Sequence, residues 1–204
     1  MSKPSYRALV RTRIRAATQL PSVVAAIIEL MLGGDVAPGD DVLDGFDLTS
    51  LLLSGADFRH KQLRGADFSF SCLRGAVFAG ADATGANFTG ADLTGANMES
   101  TDLTRAILTD STCLGANFDH ATLTGAICIR AFFIKSSMLG AARSDVDWSG
   151  ADLTAARLLG DDGERIALQW NATVDATTDV ALSAYVKRQL VERLSKRLKI
   201  DSHT

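Results

Sequence analysis

Residues 56–106 read ADFRHKQLRGADFSFSCLRGAVFAGADATGANFTGADLTGANMESTDLTRA, and the same residue types return at every fifth position. Each block runs small residue, Asp or Asn, Leu or Phe, Thr or Ser, then often Gly. Followed outward, the register holds from Phe46 to Gly160 without an insertion, which is 115 residues in 23 blocks. A period of five matches neither the roughly 3.6 of an amphipathic helix nor the period of about 2 of a half-buried strand, so both ordinary templates fail here. A short fixed repeat is the mark of a solenoid, in which each block buries its apolar residues only by stacking on its neighbours.

A second period lies inside the first. Alternate central slots carry Phe58, Phe68, Phe78, Phe88, Phe118 and Trp148, with Met98 and Met138 in the same series. The slots between them carry Leu53, Leu63, Leu73, Leu93, Leu103, Leu123 and Leu153, with Phe133 the one aromatic residue. A four-sided section with rings on two facing walls and leucines on the other two produces this ten-residue alternation, because large and small side chains then interdigitate. Gly75, Gly80, Gly85, Gly90 and Gly95 recur in step with the corners, where the chain must turn. Proline is absent from the tract, as continuous backbone pairing requires.

The pattern A(D/N)(L/F)(S/T)G resembles that of the pentapeptide-repeat family, over more than half of the chain. The resemblance implies an all-β solenoid, a right-handed quadrilateral β-helix with four blocks per turn and with the central residue and the small residue two before it pointing inward. Its 23 blocks then make a rod of about 5.75 coils, roughly 28 Å long at the ~4.8 Å spacing of paired strands. Ala83, Cys113 and Cys128 are small fillers of central slots. Lys61 falls in an inward small-residue slot and Arg143 in a central one. A buried unpaired charge is costly and a long stem can carry it outward, so the coil is expected to distort around both.

The repeat divides the chain into residues 1–45, 46–160 and 161–204. An open β-helix exposes a sheet edge and a core cross-section at each end, and the flanks are suited to cover them. Residues from about Ser5 to Leu32 predict one or two helices, with Pro21 as a first-turn proline and Gly33-Gly34 as the stop. The apolar run Val23 to Ile28 is expected to pack on the first coil. A C-terminal helix is expected from about Thr178 to Ile200, with Leu182, Val186, Leu190, Leu194 and Leu198 on one stripe and Lys187, Arg188, Arg193, Lys196, Arg197 and Lys199 elsewhere. It is a candidate capping or dimerisation helix. In quinolone-resistance members of the family a C-terminal element mediates dimerisation, so the resemblance makes a homodimer an expectation. The basic residues read as a solvated face, and direct nucleic-acid binding is not expected.

The 204 residues are 47% apolar and 22% charged with a net charge of −3, which fits one compact domain and gives no bulk attraction for nucleic acid or membranes. Cys72, Cys113 and Cys128 form no CxxC pair and no even set, so a reducing, cytoplasmic setting is expected. The basic start followed by Val23–Leu32 is similar to a signal peptide, but Pro21 and Glu29 do not suit one.

Nothing in the sequence suggests an enzyme. His60, His120 and His203 are far apart, and neither HExxH, GxxxxGK(S/T) nor GxSxG occurs. No catalytic residue, cofactor, metal or small-molecule substrate is expected. Function must then lie on the surface, where two features stand out. Outward slots should be polar, yet Ile107 and Ile127 share one slot a coil apart, Leu114 and Ile134 another, with Ile129, Phe132 and Leu139 nearby. Such a patch marks an interaction site unless a terminal helix covers it. The other is an acidic stretch, Asp82, Asp92, Glu99, Asp102, Asp110 and Asp119, interrupted only by Arg105.

Family members that protect DNA gyrase and topoisomerase IV from quinolones are thought to mimic duplex DNA, which implies a type II topoisomerase as one partner. Acidic residues outnumber basic ones by only 12 to 9 between Phe46 and Gly160, which is little for a mimic of regularly spaced phosphates. The outward Asp and Asn residues are expected chiefly to bond nearby backbone. The leading expectation is a non-catalytic protein-interaction scaffold with a partner the sequence does not name. The alternative is a topoisomerase-binding DNA mimic.

Overall fold

The computed structural model describes residues 43–158, together with 172 and 179–180. The second residue of each block forms a parallel bridge with the residue twenty positions on, so four blocks close one turn. Four ladders result. Face A runs Asp47, Asp67, Asn87, Ile107, Ile127, Asp147, and face B runs Leu52, Cys72, Asp92, Thr112, Phe132, Asp152. Face C runs Asp57, Val77, Asn97, Asn117, Ser137, Arg157, and face D runs Gln62, Asp82, Asp102, Thr122, Ala142.

The composition of the repeat follows from where its five amides go. The third N–H donates to a second-position carbonyl of the next coil, as Leu48 does to Asp67 O at 2.7 Å, and the fifth to a fourth-position carbonyl, as Ser50 does to Ser69 O at 2.9 Å. The second donates to the coil before, Asp67 to Phe46 O at 2.8 Å, and the first closes the turn, Ala56 to Leu53 O at 3.1 Å. Only the fourth N–H is left over. A free backbone donor needs a partner, and the second-position Asp or Asn reaches forward two residues to supply it. All eleven such residues do so, among them Asp47 to Thr49 at 3.2 Å, Asn87 to Thr89 at 3.0 Å and Asp152 to Thr154 at 2.9 Å.

The fifth residue makes the corner. Every fifth position from Gly45 to Ala155 has φ between +54° and +69°, as the third residue of a type II turn must. Twelve of these are glycine and eleven are not, and none of the eleven is β-branched. The rings of His60, Phe70 and His120 lie over Gly80, Gly90 and Gly140 of the next coil, where an added Cβ would meet them at 2.5 to 2.7 Å. These three glycines serve both the turn and the close approach of a ring.

The core is filled by the central residues and the small residues beside them, all essentially inaccessible. Phe58 stacks on Phe78 along face C at 4.7 Å, and Phe68 on Phe88 along face A at 5.1 Å. Across the core these columns meet edge to face at 5.4 to 5.7 Å. The ten-residue alternation is thus the interleaving of two facing ring columns. Where Ser or Thr replaces the small Ala, the buried hydroxyl donates to a carbonyl, as Thr101 does to Phe78 O at 2.8 Å and Ser136 to Phe133 O at 2.7 Å. The pattern extends ahead of Phe46: Leu43 is buried, and Gly45 N–H donates to Arg64 O at 2.8 Å.

The distortion expected at Lys61 and Arg143 does not occur. Face D pairs through both, in the bridges of Gln62 with Asp82 and of Thr122 with Ala142. Lys61 is half-buried while its backbone stays in the ladder, donating to Phe58 O at 3.2 Å and accepting from Asp82 N–H at 2.9 Å. Arg143 does not reach outward: it is 6% exposed, and Nη1 donates to Met138 O at 2.7 Å, so a buried hydrogen bond takes the place of solvent.

Strand β1 (Arg157–Leu158) pairs in parallel with β2 (Asp179–Val180), adding a further rung to face C with a spacing of 22 residues in place of 20. The C-terminal helix expected from about Thr178 therefore does not include Asp179 and Val180, which pair with β1 as a strand. The N-terminal helices and the stripe Leu182, Val186, Leu190, Leu194 and Leu198 lie outside the described residues.

Candidate interaction surface

Folding sorts the outward residues by face. Among the described residues the exposed large apolar side chains are Leu52, Phe70, Leu114, Ile127 and Phe132. Leu52, Leu114 and Phe132 belong to face B, Phe70 sits at the corner of faces A and B, and Ile127 is on face A next to that corner. Faces C and D have none. Phe132 is 46% exposed at mid-face and Phe70 is 68% exposed at the corner.

Of the sequence candidates, Ile107, Ile129 and Ile134 are half-buried beside the exposed Leu114, Ile127 and Phe132, and all six lie on faces A and B or their edges. Leu139 is half-buried on the far side, at the corner of faces C and D, so it does not join them. Leu52 and Phe70 extend the apolar edge toward the N-terminal coils. Sequence reading missed both, although an apolar residue in a second or fifth slot is the signal that would have found them.

A second property coincides with the first. Where the second slot is apolar there is no oxygen to take the leftover fourth N–H. Among the described residues no acceptor meets the amides of Thr109, Leu114, Ile129, Ile134, Ser54 and Arg74, on face B or beside its corner with face A, or those of Ala79 on face C and of Thr124 and Ser144 on face D. On faces A and B alone such amides lie beside exposed large apolar side chains among the described residues. Between Ile129 and Phe132, Arg130 donates to Asp110 through Nε at 2.7 Å and Nη2 at 2.5 Å, a two-pronged pair that holds the Asp110 carboxyl below its ordinary range.

The acidic stretch does not form one face. Asp82 and Asp102 are neighbours on face D, and Glu99 and Asp119 flank the corner of faces C and D, so four of the six share one edge. Asp92 is on face B and Asp110 at the A–B corner. Arg64 donates to Asp82 at 2.7 Å and Arg74 to Asp92 at 3.1 Å. Burial raises both carboxyls and these arginines, with Thr84 and Thr94, more than offset it, leaving both lowered. Asp119 accepts from Ser137 at 2.6 Å and from Leu139 N–H at 2.8 Å. Most of the acidic residues are thus engaged within the rod.

Among the described residues no group of His, Cys, Asp or Glu could hold a metal ion, and no helix is long and apolar enough to cross a membrane. His60 and His120 share the C–D corner three coils apart. Cys113 and Cys128 are fully buried, and burial pushes the Cys113 thiol up to about 12 and Cys128 well above its ordinary value.

An uninterrupted four-sided coil of five-residue blocks around a core of stacked central residues defines a parallel β-solenoid. The family profile described as pentapeptide repeats (8 copies) matches residues 43–78, 71–110 and 108–140 in the same register. The chain belongs to the pentapeptide-repeat family, whose members form right-handed β-helices and are generally structural or interaction scaffolds. No protein of curated function matches it. It is similar to a number of solved structures, three of which follow. With Rfr23 of the cyanobacterium Cyanothece 51142 it shares 25% identity over 48% of this chain and 62% of that one, with a TM-score of 0.37. With a pentapeptide-repeat protein of the Arabidopsis thaliana thylakoid lumen it shares 30% over 72% and 92%, with a TM-score of 0.33. With QnrB1, a plasmid-mediated fluoroquinolone resistance protein, it shares 18% over 74% and 85%, with a TM-score of 0.37. At these scores no surface residue of the three is carried onto this chain.

Proposed function

We propose that the protein is a non-catalytic scaffold that binds another protein through face B and its corner with face A. The observation that carries this reading is the coincidence, in the coils holding residues 106–115 and 126–135, of exposed apolar side chains with backbone donors left open. The amides of Ala79, Thr124 and Ser144 on faces C and D are also open, but no large apolar side chain is exposed beside them among the described residues. Apolar area drives association, and open amides reward a partner that brings oxygen acceptors.

Capture from the native cell by the parent chain, by Phe132→Asp/Ile134→Asp and by a face D control, Thr104→Asp/Thr124→Asp, tests it. The face B variant should lose the captured protein while far-UV circular dichroism stays unchanged, and the control should keep it. Equal capture by all three would remove face B as the contact surface.

A second reading, a charge mimic of DNA acting on a type II topoisomerase, is favoured by one observation, the shared edge of Asp82, Glu99, Asp102 and Asp119. It is opposed by the arginines that interrupt the acidic columns. A supercoiling assay with and without a quinolone decides it: neither inhibition nor protection by the purified chain would exclude this reading.

A further inference from the structure

We infer that the partner presents an acidic, apolar helical segment to the coils of residues 106–115 and 126–135, where its carboxylates close the amides that the repeat leaves open. The inference rests on face B and its corner with face A being the contact surface, and it names the chemistry that surface accepts.

The chain itself shows what closes a fourth-position amide. Eleven are met by the Asp or Asn of their own block. Two are met by an acid of the coil before: Arg64 N–H donates to Asp44 Oδ1 at 2.7 Å and Leu139 N–H to Asp119 Oδ1 at 2.8 Å. The acceptor is always a side-chain oxygen of Asp or Asn, and the last two show that it need not come from the same block. Thr109 and Ile129 are open on face A beside its corner with face B, and Leu114 and Ile134 are open on face B beside its corner with face C. The exposed ring of Phe132 lies between these two columns of donors. Side-chain oxygens from outside complete the four by the rule the coil uses elsewhere.

Charge selects the carboxylate. Along one coil the chain runs Arg130 at the A–B corner, Phe132, Ile134, and Lys135 at the B–C corner. Arg105, at the D–A corner, lies over Gly125 of the next coil, so basic corners bracket both walls. Asp110 is the one acid in these blocks and Arg130 already holds it, while Arg105 and Lys135 have no ion pair among the described residues. Outward amides and fixed cations together favour an anion. Asp92 on the coil before and Asp147 and Asp152 on the coil after confine this basic band to two coils, which suits a pair of acids rather than a long acidic run. Exposed Leu114, Ile127 and Phe132 favour apolar side chains beside those acids, which a phosphate backbone lacks.

Spacing favours a helix lying along the rod. Open amides on one wall are a coil apart, ~4.8 Å. Acids four residues apart on a helix stand about 5–6 Å apart, whereas alternate side chains of an extended strand stand about 7 Å apart.

The probe is a capped peptide of four Glu-Leu-Ala-Gln repeats, which sets Glu at every fourth residue beside a Leu stripe. Its counterpart with Lys in place of Glu is the control. Each is titrated into the isotope-labelled full chain and followed by amide NMR. The Glu peptide should shift Thr109, Leu114, Ile129 and Ile134 saturably and leave Ala79, an open amide on face C, in place. Arg105→Glu/Lys135→Glu should weaken this binding about tenfold. At saturation Ile127→Asn, which closes Ile129 N–H from its own block, should remove the shift at Ile129 while the other three keep theirs. No shift at the four amides, or equal shifts from the Lys peptide or from inorganic phosphate, would overturn the inference. If it fails while Phe132→Asp/Ile134→Asp still abolishes capture, the surface stands and its partner is of other chemistry. If that pair leaves capture unchanged, the surface and the inference fall together.

Discussion

At the residue scale the fold rests on two backbone demands, a left-handed corner and a leftover amide. Eleven corners are held by residues with a Cβ in the left-handed region, where each is strained by roughly 1 kcal/mol relative to glycine. Lys135→Gly should therefore stabilise the protein by about 0.5–1 kcal/mol in urea unfolding, less than the full strain because glycine also gains freedom in the unfolded chain. The amide demand predicts the opposite sign at a capped block: Asp102→Ala, which strips the acceptor from Thr104 N–H, should cost about 1 kcal/mol.

Asp57 gives a pH signature. The hydrogen bonds from Arg59 hold its carboxyl at about 2, against an ordinary 3.8. A carboxyl depressed on folding contributes stability above its unfolded value and loses it as pH falls through its folded one, so this pair's contribution fades between about pH 4 and pH 2. In a carbon-detected NMR titration Arg59→Ala should move the midpoint of Asp57 upward toward 3.8. An unmoved midpoint would show that the arginine is not the cause.

At the element scale the coil trades regularity for surface. Ile107 and Ile127 sit where Asp47, Asp67, Asn87 and Asp147 close the local amide, so the apolar pair leaves donors of Thr109 and Ile129 open. Ile127→Asn should restore the missing hydrogen bond and stabilise the rod by up to about 1 kcal/mol while weakening partner capture. Loss of stability would show that the side chain serves packing. The coil itself was legible in the sequence because its period and its Phe/Leu alternation are direct images of the ladder and of the two ring columns. The accommodation of Arg143 was not legible, since Nη1 of the buried guanidinium donates to the carbonyl of Met138, whose position only the folded coil fixes. The pattern also reaches Leu43-Asp44-Gly45 ahead of Phe46, where Asp41 and Val42 do not match the first two slots of the repeat.

At the scale of the whole molecule, position around the square decides what outward residues can do together. The run from Asp82 to Asp119 looks continuous in sequence, yet it winds through two coils and is split between opposite sides of the rod. The apolar slots looked scattered, and the twenty-residue turn gathers Ile107, Leu114, Ile127, Ile129, Phe132 and Ile134 onto faces A and B, the two walls that share a corner, while leaving Leu139 on the far side. Sequence spacing alone finds the columns; only the wall assignment joins neighbouring columns into a surface.

The claim that this corner is the working surface is tested most directly by amide hydrogen exchange, comparing the free chain with its complex with the captured protein. The open amides of Thr109, Leu114, Ile129 and Ile134 should gain protection on binding, while the capped amides of Thr84 and Thr104 on face D should exchange as before. Protection that falls on face D, or none at the four open amides, would contradict the account.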